Sequence, residues 1–116
     1  MAIPGPTATA LRWHTVVGLY FCADWCTACS SFTPVLTTLY TARKAQDDDQ
    51  FEVVVVPRCR TAQATKHHCK DMPWLSMWHD VADEAAMTAR TSGLMAKFGI
   101  TSIPALVLLD AGGRVI

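Results

Sequence analysis

The chain has 116 residues, 51% of them hydrophobic and 17% charged, against an ordinary charged share of about 25%, a core-rich composition that suits one compact domain. Six glycines and six prolines fall without a period, and no apolar stretch approaches the roughly 18 residues of a membrane span, so collagen-like, disordered and membrane-spanning classes are excluded. Ten basic residues balance ten acidic ones, so no overall field recruits nucleic acid or an anionic membrane, and specificity has to come from a local site.

Met1 to Leu11 is rich in Pro, Gly, Ala and Thr without a period, and reads as an irregular arm over 1–12 of a single 1–116 domain. No basic segment followed by an apolar core marks it as a signal peptide. From His14 to Cys22 the pattern changes. Thr15 to Phe21 is almost continuously apolar and rich in β-formers, which predicts a strand covered on both faces, at the sheet centre. Further on, Phe32, Val35, Leu36, Leu39 and Tyr40 share one helical stripe, with Arg43 and Lys44 at the dipole-favoured end, a helix of roughly four turns. Pro34 inside it is expected to remove one backbone hydrogen bond and kink the axis. The acidic Asp47-Asp48-Asp49 reads as a solvated loop without a function.

Phe51 to Val56 is a second buried strand, stopped by Pro57, and Thr61 is available to cap a weaker helix that runs to Asp71. Met72-Pro73-Trp74-Leu75 breaks the pattern, and Asp83-Glu84 opens another helical stretch. There Ser92 is expected to cap the last turns, and Gly93 argues against one continuous helix. Ile103-Pro104 precedes a third buried strand, Ala105 to Leu109. Asp110-Ala111-Gly112-Gly113 then supplies a tight turn into Arg114-Val115-Ile116, where a fourth strand begins.

Five cysteines cannot all pair within one chain, and two stand as Cys26-Thr27-Ala28-Cys29 rather than as scattered staples. A secreted disulfide scaffold fits poorly, and a reducing cytoplasmic compartment is expected. A right-handed crossover makes the strands ending at Cys22 and Val56 parallel neighbours, with the cysteine loop on the edge formed by their C-terminal ends. Cys26 then falls at or just before a helix N-terminus, where unpaired N–H groups and the dipole stabilise a thiolate. Cys29, one turn inward, is more shielded. The two-residue spacing lets its sulfur reach a mixed disulfide on Cys26, the geometry of repeated thiol–disulfide exchange. Zinc is the lesser reading, because two further ligands are needed and the consecutive His67, His68 and Cys69 splay apart on a helix. Cys22 reads as a small buried hydrophobe of its strand. Cys59, on the same edge as Cys26, reads first as a free loop thiol and second as an accessory thiol in exchange or regulation.

Trp25-Cys26-Thr27-Ala28-Cys29, the following Pro34, and Ile103-Pro104 before an apolar strand resemble the thioredoxin superfamily. Finer matches resemble its tryparedoxin and nucleoredoxin branch: Gly18-Leu19-Tyr20-Phe21, Phe32-Thr33-Pro34-Val35-Leu36, Phe51-Glu52-Val53-Val54, Met72-Pro73-Trp74-Leu75 and Phe98-Gly99-Ile100. The resemblance implies an α/β thioredoxin-like fold, a central mixed β-sheet flanked by helices, with shortened N- and C-terminal ends. It implies Cys26 as exposed nucleophile, Cys29 as resolving thiol, Trp25 shaping the site, and Pro104 as a cis proline facing the sulfurs. Ile103 and Arg58 are expected as substrate contacts. The implied activity is dithiol–disulfide oxidoreduction without metal or organic cofactor. Its substrates are disulfide-containing proteins such as peroxidases, and a low-molecular-weight dithiol or a reductase donates the electrons.

Two departures matter. Thr27-Ala28 replaces the two prolines common in the branch. Pro57-Arg58-Cys59-Arg60 is basic where tryparedoxins are acidic, so a polyamine-bearing dithiol such as trypanothione meets like charge, and a protein or acidic thiol is favoured. Tyr20 stands where ordinary thioredoxins carry a buried acid, so the Cys29 proton needs another route, such as water. The rival reading is a binding module with vestigial cysteines that recognises partners through Trp25, Trp74 and Trp78.

Overall fold

The computed structural model of the chain describes residues 16–46, 51–77 and 84–116. The arm expected at 1–12, the strand start at His14 and Thr15, the Asp47-Asp48-Asp49 loop, Trp78 and Asp83 lie outside the described residues. In chain order come β1 (Val16–Cys22), α1 (Thr27–Ala45), β2 (Phe51–Pro57), α2 (Ala62–Cys69), β3 (Leu75–Ser76), α3 (Glu84–Lys97) and β4 (Ala105–Leu109). The sheet has the order β3-β2-β1-β4.

The two apolar runs lie where their composition predicts, side by side in the middle of the sheet. β1 and β2 pair in parallel from Val16 opposite Phe51 to Cys22 opposite Pro57. A parallel pair needs a crossover, and α1 supplies it, so the crossover itself covers one face. Alternation then divides the core in two. Tyr20, Cys22, Val53 and Val55 pack with Cys29, Leu36 and Tyr40 of α1, while Leu19, Phe21, Val54 and Val56 pack with Leu94 and Met95 of α3 and with Phe98 just after it. The architecture is a mixed sheet between helical layers. β4 closes the sheet antiparallel to β1, from Val17 opposite Leu109 to Phe21 opposite Ala105. Glycine at position 18 leaves room for it, since a Cβ would stand 3.1 Å from Leu106 Cδ1 and oblige that side chain to shift slightly.

Several expectations change. α1 has 19 residues and starts directly after Cys26, a turn longer than its apolar stripe suggests, and Pro34 lies inside it without ending it. Cys29, Leu36 and Tyr40 are its buried residues, whereas Val35 and Leu39 are 63% and 51% exposed. The inward face is rotated by about 60° from the apolar stripe, at about 100° per residue. On that side the Tyr20 hydroxyl and Thr33 Oγ1 lie 2.6 Å apart, a hydrogen bond between the sheet and α1.

α2 ends at Cys69 rather than Asp71, and Thr61 caps it as read, its Oγ1 accepting from Ala64 N–H at 3.0 Å. α3 runs unbroken through Ser92 and Gly93. A helical glycine costs only about 1 kcal/mol. The buried Thr91 and the Arg58 guanidinium, donating at 2.7 Å to Thr91 and 2.9 Å to Ser92, tie the segment down. Ser92 therefore serves a tertiary contact rather than a cap. The Met72-Pro73-Trp74-Leu75 element ends in β3, which pairs in parallel with β2 through Val54–Leu75 and Val55–Ser76. β4 is not a fully buried strand: it is an edge, with Leu108 38% exposed. Beyond it Asp110 Oδ1 accepts from Gly112 and Arg114 N–H, a tight turn that returns the chain to a bridge between Leu109 and Val115.

Candidate functional site

β1 ends at Cys22 and α1 begins at Thr27, so the intervening loop hangs over the C-terminal end of the sheet. Cys26 is the N-cap of α1, with extended backbone (φ −94°, ψ 107°). Its Sγ accepts from the Cys29 N–H at 3.2 Å, one of the donors a helix leaves unpaired in its first turn. A sulfur so placed receives a backbone hydrogen bond at the positive end of the helix dipole. On its other side the Cys26 thiol donates to the Ile103 carbonyl at 3.7 Å. The Ile103–Pro104 peptide bond is cis, and the Ile103 carbonyl lies in the segment before β4.

All five cysteines are free thiols, the reduced form of the molecule. Cys29 is wholly buried and Cys26 is only 8% exposed, so the expectation of an openly exposed nucleophile is corrected. The Ile103 carbonyl and the first turn of α1 both contact the Cys26 sulfur. Burial, followed by the contact with Cys26, pushes the Cys29 thiol up to about 11. The Tyr20 hydroxyl gives Cys29 no proton relay. It bonds Thr33 at 2.6 Å and the Cys29 carbonyl at 3.4 Å, holding backbone rather than sulfur.

Trp25 is 54% exposed, and its indole N–H donates to the Arg58 carbonyl at 3.0 Å. The Arg58 N–H in turn donates to Cys22 O at 2.7 Å. The cysteine loop and the basic segment after β2 are thus fastened together, and the Arg60 guanidinium stands 6.0 Å from the centre of the Trp25 ring. Between this segment and α3 lies a cavity of about 350 Å³, lined by Trp25, Arg58, Cys59, Arg60, Met87 and Thr91 among others. Nothing in the sequence pointed to it, because its wall is contributed by α3, far along the chain. Cys59 borders the cavity, and burial, to which the Asp24 side chain adds, raises its pKa.

The other thiols are packed away. Cys22 sits 3.4 Å from His68 Nε2 at the strand end, and its pKa is raised by burial, with Cys69 adding to the effect. Cys69 is pushed up to about 11, again by burial first. Among the described residues no group of three or more His, Cys, Asp and Glu could hold a metal ion, and no described helix is long and apolar enough to cross a membrane. Trp74 is buried against Tyr20 and Tyr40, which removes it from the aromatic surface of the binding-module reading.

These thiols make stability depend on alkaline pH. Cys29 and Cys69 rise from 9.0 to about 11 on folding, so between those values the unfolded chain releases protons that the folded one keeps. Their contribution is complete below pH 9 and disappears as pH climbs through about 11. The urea midpoint is expected to fall across that window in the wild type, and to fall less steeply in Cys69→Ala. A midpoint that stays level would contradict it.

A sequence profile described as thioredoxin-like matches residues 14–115. Nucleoredoxin from Xenopus laevis is 42% identical over 101 residues, which are 86% of this chain and 22% of that protein. Tryparedoxin from Trypanosoma brucei brucei is 34% identical over 95 residues, 82% of this chain and 60% of that one. A solved tryparedoxin II complexed with glutathionylspermidine superposes with a TM-score of 0.75 at 30% identity, over 90% of this chain and 68% of the other. The chain thus spans about a fifth of the length of the frog nucleoredoxin it matches.

Proposed function

Because this chain belongs to the thioredoxin-like family, in its nucleoredoxin and tryparedoxin branch, we propose that it is a dithiol–disulfide oxidoreductase whose working pair is Cys26 and Cys29. The observation that carries this reading is the Cys26 sulfur at the N-cap of α1, accepting the Cys29 N–H at 3.2 Å beside the Ile103 carbonyl. The Cys26 thiolate attacks one sulfur of a substrate disulfide. An S–S bond forms to Cys26, and the other substrate sulfur leaves with the electron pair and takes a proton from water. The disulfide then no longer offers Cys29 the Cys26 contact that helps to keep it protonated. Cys29 loses its proton to water, attacks Cys26 and expels the second substrate thiol. Two electrons have passed to the substrate, and the pair is left as a disulfide.

An external low-molecular-weight dithiol or a reductase restores it, in a reducing compartment such as the cytoplasm. Disulfide-containing proteins, peroxidases among them, are the proposed substrates. Trp25 shapes the approach, and the Ile103–Pro104 segment faces the incoming chain, where a carbonyl that accepts from the Cys26 thiol is in position to meet a substrate backbone. No metal or organic cofactor enters any step.

Equilibration of the protein in a series of thiol–disulfide buffers, with mass mapping at each, tests this reading. A reversible linkage confined to Cys26 and Cys29 is expected, with Cys22, Cys59 and Cys69 staying as thiols. The absence of a reversible pair would remove the enzyme reading.

A further inference from the structure

The cavity beside Trp25 carries two positive charges. Arg58 and Arg60 both line it, with Pro57, Cys59, Met87, Thr88 and Thr91 also on the wall, and among the described residues of that lining there is no carboxylate. The polar partners of the Arg58 guanidinium are two neutral hydroxyls, on Thr91 and Ser92. Arg60 is exposed and its guanidinium stands over the Trp25 ring. Asp24, the acid next to this region, faces Cys59 and lies outside the lining. Among the described residues, therefore, neither guanidinium is neutralised by a carboxylate. Charges of one sign in a concave, partly apolar site concentrate their field, and the planar guanidinium suits a carboxylate oxygen pair.

Position adds the second argument. The Trp25 indole holds the Arg58 carbonyl at 3.0 Å, so the cavity and the Cys26 loop keep a fixed relation. Trp25, the residue before Cys26, is part of the cavity wall, so a disulfide engaged at Cys26 lies next to that wall. About 350 Å³ falls near the lower end of the usual range for ligand sites and accommodates a side chain or a small thiol's carboxylate rather than a folded element.

We propose that this cavity binds a carboxylate adjacent to the scissile disulfide, so that the protein prefers acidic disulfides and discriminates against cationic ones. The proposal rests on the exchange reading and assigns its substrate class. The reaction is unchanged: Cys26 and Cys29 reduce the disulfide by two electrons, and the carboxylate is bound without being transformed. Against this surface a polyamine-bearing thiol places like charge on like.

The test uses reduced wild-type protein and three disulfide-linked peptide dimers that differ only in carrying Glu, Gln or Lys beside the cystine. Each rate is divided by that of a neutral small dithiol, which removes the peptide's own leaving-group chemistry. The Glu peptide is expected to react about fivefold faster than the Gln peptide, the size of one favourable partly exposed charge pair, with Lys slower still. The order should collapse in about 1 M salt, where the Debye length is about 3 Å. Arg60→Gln should bring the Glu-to-Gln ratio toward one, and Arg58→Gln should act in the same direction.

Equal normalised rates, or an order that survives both substitutions, would overturn the proposal while leaving exchange intact. If none of the peptides is reduced, exchange itself fails and the preference falls with it. Glutathione disulfide, run beside them, separates the two sources of the carboxylate. A rate matching the Glu peptide assigns the cavity to low-molecular-weight acidic thiols, and a slow rate beside a fast Glu peptide assigns it to acidic protein segments.

Discussion

Cys26→Ser is expected to lower disulfide reduction by at least about three orders of magnitude, because a serine hydroxyl stays protonated where a cysteine thiol ionises. Serine is also a preferred N-cap, so the substitution preserves the role of residue 26 at the head of α1 and its loss of activity is chemical rather than structural. Cys29→Ser should behave differently. The first attack proceeds, the second sulfur is absent, and the protein accumulates as a mixed disulfide with its substrate, visible on a non-reducing gel and released by a strong reductant. The asymmetry follows from the local geometry, since Cys26 receives a helix N–H at 3.2 Å while Cys29 is buried and held protonated. Full turnover by the Cys26→Ser protein would refute the assignment.

Tyr20→Ala is expected to cost about 3 to 5 kcal/mol, the range for removing a large buried aromatic ring. Against a total stability of about 5 to 15 kcal/mol for a domain, that is enough to shift the urea midpoint strongly or to leave the chain unfolded at body temperature. The ring is completely buried in the face beneath α1, with Phe32 and Trp74 centred 5.5 Å and 6.0 Å away. Trp74 also meets Tyr40 edge-on at 5.6 Å, so the removal loosens a linked aromatic cluster rather than one contact. Tyr20→Phe separates the contributions. It keeps the ring and deletes only the hydroxyl shared with Thr33, and it should cost about 1 kcal/mol. Equal losses in the two variants would place the stabilisation in the hydrogen bond and contradict the packing argument.

The two apolar runs were legible as central strands because a strand flanked by neighbours and covered on both faces has no polar side to show. The Cys26-Thr27-Ala28-Cys29 spacing was legible for a similar reason, since its geometry lies within one helical turn. Burial along α1 was not. Val35 and Leu39 are apolar yet exposed, while Cys29 is buried, because the side a helix turns to the sheet is set by packing across the layer and not by its own stripe alone. The continuity of α3 was missed for the same kind of reason. A glycine that weakens an isolated helix is tolerated when Arg58, from the end of β2, bonds the two residues before it.

What the sequence by itself determined is therefore the local chemistry: which segments extend, where a thiol meets a helix N-terminus, and the family to which those residues belong. Tertiary structure alone decided what faces that thiol. The Ile103 carbonyl reaches Cys26 from the segment before an edge strand, and Trp25 holds the Arg58 carbonyl across the gap between two strand ends. The cavity needs Arg58 and Arg60 from one element and Met87 and Thr91 from another. Contacts within a turn are constrained by backbone geometry and can be read from spacing, whereas contacts between distant segments are fixed by how layers pack, and a single sequence carries no periodic signal for them.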